Sequence, residues 1–70
     1  MLASVPIIEE LIKARKEQGL SQTELADLCT KQGYKLHQKD ISWIESRRHN
    51  PTSEKLEAIA KALGKEWRLD

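Results

Sequence analysis

Gln38, Lys39, Ser42 and Trp43 share one short stretch, QKDISWIE, whose side chains could read the edge of a base. The amide of Gln38 sets a donor beside an acceptor, a match for N6 and N7 of adenine; the ammonium of Lys39 only donates and suits O6 and N7 of guanine. Each good contact of this kind discriminates by roughly 1–3 kcal/mol. Ser42 follows one helical turn later and can reach a base or a phosphate. Trp43 has two readings: exposed, it would lie along a sugar–phosphate backbone or against a thymine methyl group; covered, it would pack under Tyr34. Next comes Ser46-Arg47-Arg48-His49-Asn50, a polar, basic run ended by Pro51. Arg47 and Arg48 are placed to meet phosphates, and Lys35 and His37 are further candidates for phosphate contact from the other side of the stretch.

Net charge alone would not suggest such a partner, because it is only +1. Its distribution does. Residues 1–30 carry Lys13, Arg15 and Lys16 against five acids and sum to −2. Residues 31–49 carry Lys31, Lys35, Lys39, Arg47 and Arg48 against Asp40 and Glu45 and sum to +3. Residues 50–70 balance at zero, so the positive excess falls on the proposed reading segment and the loop after it. That asymmetry is an electrostatic footprint for phosphate.

Other chemistries find little support. There is no glycine-rich phosphate loop, no HExxH and no nucleophile elbow, so no enzyme is expected. His37 and His49 are too isolated to suggest a metal site. The lone Cys29 can form neither an internal disulfide nor a cysteine-based metal site and reads as a small buried residue. No cofactor is expected. No apolar run approaches the ~20 residues of a membrane span, and the N-terminus lacks a charged segment followed by an apolar one. Cytoplasm is the expected location, without a membrane partner.

These side chains need elements to hold them. Seventy residues suffice for one domain, 1–70, with its core at about 7–64 and a tail at 65–70. Leu, Ile, Ala, Glu and Lys dominate, with no Phe and few Gly or Pro, which favours an all-α fold. Ser4 or Val5 can open a first helix, with Pro6 tolerated in its first turn and Ile8, Leu11 and Ile12 buried. Glu9 and Glu10 are expected near the positive end of its dipole, with Lys13, Arg15 and Lys16 toward the negative end. Gly19 ends it. Ser21 with Glu24 three residues on is a capping-box spacing, so a second helix starts at Gln22 and carries the stripe Leu25, Ala26, Leu28 and Cys29. Gly33 is its stop. A third helix starts at His37 or Gln38 and turns Ile41 and Ile44 inward. Thr52 caps a fourth helix with Leu56, Ile59, Ala60 and Leu63 inside, and Gly64 stops it. The tail from Lys65 to Asp70 is either the start of a fifth helix or, through alternating Trp67 and Leu69, a short strand. A strand of that length needs a sibling from a second copy. Trp67 and Leu69 are accordingly candidate dimer-interface residues.

The ordered combination GLSQTELA (19–26), ISWIE (41–45), NPT (50–52) and IAKALG (59–64) resembles the phage repressor/Cro-type (XRE-like) helix-turn-helix family over roughly Ile8 to Leu63. The resemblance implies a compact repressor-like domain of four to five helices that binds double-stranded DNA. It also implies that Arg15 pairs with Glu45, tying the first helix to the end of the third, and that Gln22 bonds a phosphate. One departure is plain: about five residues are inserted before Ile41 relative to the family pattern, so the turn between helices two and three, Gln32 to His37, is lengthened. Tyr34 and Leu36 are expected to pack back on the domain. The expected activity is that of a transcriptional regulator, a repressor acting as a homodimer on a palindromic operator. The alternative is an antitoxin-like module that holds a toxin-like protein partner and autoregulates its own promoter.

Overall fold

Four α-helices follow one another through residues 5–65, the part of the chain that the computed structural model describes: α1 (Val5–Glu17), α2 (Gln22–Lys31), α3 (Gln38–Glu45) and α4 (Ser53–Ala62). No strand occurs among the described residues. The all-helical architecture follows the composition.

Local chemistry sets the ends. Ser21 Oγ accepts from the Glu24 N–H at 3.0 Å, and Glu24 Oε1 accepts from the Ser21 N–H at 2.9 Å, which completes the capping box of α2. Thr52 Oγ1 accepts from the Lys55 N–H at 3.3 Å and caps α4. At the other end of α2 the Tyr34 N–H reaches Cys29 O and the Gly33 N–H reaches Thr30 O, with Gly33 at φ +99°. That is a Schellman closure, and glycine occupies its left-handed position without a Cβ penalty. The chain closes α1 at Gly19 and α4 at Gly64 in the same pattern. Helix α3 differs: Ser46 is its C-cap and Arg47, not a glycine, takes the positive φ of 65°.

Each helix buries one stripe. Ile8, Leu11, Ile12 and Ala14 come from α1, Leu25, Ala26 and Cys29 from α2, Ile41 and Ile44 from α3, and Leu56, Ile59 and Ala60 from α4; Leu36 and Leu63 complete the core. A buried side chain of the Leu or Ile class contributes about 1.5–3 kcal/mol relative to exposure, so this one cluster fixes how α3 is presented. Gln18 adds a polar clasp, its Nε2 donating to Leu63 O at 2.7 Å and joining the ends of α1 and α4.

One expectation needs correction. Glu9 and Glu10 lie in the second turn of α1, whose first turn holds no acid. The dipole's influence falls off within one turn, so they do little for the start of α1, and Lys13 lies before its last turn. The tail readings, with Trp67 and Leu69, fall outside the described residues. Among the described residues no helix is long and apolar enough to cross a membrane.

Candidate nucleic-acid interface

Helix α3 turns Ile41 and Ile44 inward and leaves Gln38, Lys39, Ser42 and Trp43 exposed. Two faces of one eight-residue helix therefore separate anchoring from presentation. Its start is held by the His37 N–H donating to Asp40 Oδ2 at 2.8 Å. Asp40 had not been singled out in the sequence, although its position three residues after His37 is the signal that marked Ser21 and Glu24.

The lengthened turn is a loop, not an extension of α2, and it is anchored at both levels. Leu36 is buried in the core and Tyr34 packs against it. Thr30 Oγ1 accepts from the Leu36 N–H at 3.2 Å and lies within 3.0 Å of Ala26 O and 3.1 Å of Leu36 O. One hydroxyl at the end of α2 thus holds the loop that leads into α3. Lys35 and His37 remain exposed on either side of Leu36.

A polar chain then crosses three helices. Arg15 of α1 faces Glu45 of α3 with both prongs, Nε to Oε2 at 2.8 Å and Nη2 to Oε1 at 3.0 Å, and its Nη1 donates to Leu20 O at 2.8 Å. The two side chains are only 11% and 13% exposed, so the pair is shielded enough to fix geometry. Gln22, the first residue of α2, donates from Nε2 to Glu45 Oε1 at 3.0 Å. Its Oε1 accepts from Gln38 Nε2 at 2.7 Å. Gln22 and Gln38 are thereby brought together, although sixteen residues separate them.

Trp43 is on the exposed side of the two readings and does not pack under Tyr34. Its ring is 40% exposed and stacks on His49, with centroids 4.2 Å apart and planes 7° from parallel. Lys55 Nζ sits 5.4 Å from the ring centroid, a cation–π arrangement. Ser46 Oγ donates to Trp43 O at 2.6 Å and ties the start of the basic loop to α3. Arg48 is exposed, while Arg47 Nε lies 3.3 Å from Glu9 Oε1 in an exposed ion pair. Between α1, α2 and α3 opens a polar cleft of about 430 Å³ whose rim includes Lys16, Gln22, Ser42 and Arg47. From the sequence Lys16 is read only as a cation toward the negative end of the first helix, and its place at this cleft emerges from the fold.

Cys29 lies inside the core with Sγ 3.8 Å from Ala58 O, and burial pushes its thiol up to about 11. It is remote in character from any reactive cysteine, which needs a depressed value. Among the described residues no group of His, Cys, Asp and Glu could hold a metal ion.

The sequence profile of the Helix-turn-helix family matches residues 11–69. Comparison with curated proteins and comparison with solved structures each gave no significant match. The matched span holds α2, the lengthened turn, α3 with its exposed amide and ammonium, and α4, so the profile and the geometry concern the same elements. The chain belongs to the helix-turn-helix family of Cro/C1 (XRE-like) type and is a DNA-binding transcription regulator.

Proposed function

We propose that this chain reads a specific duplex sequence as a two-fold dimer and represses transcription by occupying a palindromic operator. The observation that carries the reading is the exposed row Gln38, Lys39, Ser42 and Trp43 on a helix whose opposite face is locked into the core. In this reading α3 enters the major groove with Gln38 and Lys39 at base edges, and with Ser42 and Trp43 further along. Gln22, Arg47, Arg48, His37 and Lys35 contact phosphates and set register, with Lys16 beside them at the rim of the cleft. Phosphate contacts of this type position the protein but carry no sequence information.

The dimer follows from reach. At ~1.5 Å rise per residue, the eight residues of α3 span about 12 Å, or three to four base steps. So short a footprint selects weakly by itself. Two copies on half-sites roughly 34 Å apart would double the sequence read.

A selection from random duplex DNA at moderate salt tests this. An enriched palindrome that relaxes at defined positions in Gln38→Ala and Lys39→Ala is the expected result. Folded protein that enriches no sequence would overturn it and would favour a module whose DNA binding depends on a protein partner.

A further inference from the structure

We infer that Glu45 is a positioning residue for base choice: acting through Gln22, it fixes which way round the Gln38 amide is presented and so sets adenine over guanine. This rests on the reading of α3 as the base-contacting helix.

The argument is one of polarity. A carboxylate paired with a guanidinium has no proton to give, and Glu45 accepts from Arg15 on both oxygens. Gln22, 3.0 Å away, must therefore turn its NH2 toward Glu45. Its carbonyl oxygen then faces Gln38, and only the NH2 of Gln38 can answer at 2.7 Å. One N–H of that group is consumed. What Gln38 has left for a partner is its carbonyl oxygen and the N–H on the same side, an acceptor beside a donor. Adenine offers the complement, N6–H and N7. Guanine offers two acceptors, O6 and N7, and the outward oxygen of Gln38 would oppose one of them.

An isolated glutamine can rotate its amide and meet either base. Here the rotation is blocked, two hydrogen bonds away, by a group with only one polarity. Glu45 need not touch DNA to do this. Replacing it by glutamine keeps the shape but supplies a group that can give or accept. Gln22 and Gln38 can then both reverse, and Gln38 turns an NH2 outward that suits guanine.

The test measures binding of duplexes that differ only at the base pair assigned to Gln38 by the Gln38→Ala comparison. The wild-type chain should prefer adenine over guanine there by roughly tenfold or more, and Glu45→Gln should bring that ratio below about threefold by admitting guanine. Preferences at the other operator positions should remain. Arg15→Met is the control for a merely structural role, because it breaks the ion pair but leaves the carboxylate facing Gln22. It should lower the melting temperature and weaken binding to all sequences while the adenine preference persists. Equal adenine preference in wild type and Glu45→Gln, or equal loss in Arg15→Met, would overturn the inference. If the wild-type chain enriches no sequence at all, it is the DNA-reading proposal itself that fails.

Discussion

Cys29 and Arg47 show opposite bargains at the scale of single residues. Burial lifts the Cys29 thiol from 9.0 to about 11. An unfolded chain releases that proton first as pH rises, so the thiol's contribution is intact below pH 9.0 and is lost between 9.0 and about 11. Across that window the wild-type chain should lose up to about 1.4 kcal/mol of stability per pH unit relative to Cys29→Ala. Urea titrations of both proteins at stepped pH would check it, and parallel profiles would show that the thiol titrates freely in the fold. Arg47 holds a left-handed backbone at φ 65°, which costs a non-glycine residue about 1–2 kcal/mol. Arg47→Gly should therefore gain about 1 kcal/mol, a rise in melting temperature of roughly 4–8 °C for a chain of this size. The same change removes a positive charge from the proposed phosphate surface. DNA affinity should fall as stability rises, and a variant that gained or lost both together would contradict that division.

At the scale of elements, local signals were readable and distant meetings were not. Ser21 with Glu24, and Gly19, Gly33 and Gly64, mark helix ends through neighbours within a few residues, and those helix limits appear in the fold. The period of Ile41 and Ile44 likewise told which face of α3 looks outward. The length of the turn after α2 was legible too, but its anchorage was not. Thr30 looks like an ordinary surface hydroxyl on α2 until the loop folds back and brings the Leu36 N–H to it. The Gln22–Gln38 contact was hidden for the same reason, since no periodicity links residues on different helices. Trp43 illustrates the limit on the other side, because its stack on His49 depends on where the basic loop turns. Thr30→Val keeps the shape and removes the hydroxyl, leaving the Leu36 N–H without its partner. Such a loss costs about 1–3 kcal/mol. The variant should melt lower, and the amide of Leu36 should exchange with solvent faster than the amides of α4. Unchanged exchange at Leu36 would mean that the apolar packing of Leu36 alone holds the loop.

The molecule as a whole sets its acids against its bases. The first thirty residues are net negative, and Glu9 brings one of their charges to within 3.3 Å of Arg47. The pair is exposed, so it adds little to stability. It does hold back a cation from the proposed DNA surface. Glu9→Gln should leave the melting temperature nearly unchanged, raise affinity for duplex DNA a few-fold at low salt, and steepen the salt dependence by about one counterion. Titrations at several salt concentrations would read both quantities, and a salt slope equal to that of the wild type would place Arg47 away from phosphate.

The crossing of Arg15, Gln22 and Glu45 over three helices also bears on how such proteins can be re-engineered. Specificity is commonly imagined as a cassette: exchange the reading helix and the address changes with it. Here α3 carries the Gln38 amide and the Glu45 carboxylate, but Gln22, which links the two, belongs to α2. Under the inference drawn above, a foreign α3 grafted without a matching residue at position 22 would keep its side chains and lose their orientation, and one without a partner at position 15 would lose its anchorage. The unit to be transplanted is therefore the three-helix junction, with α3 as only one of its parts.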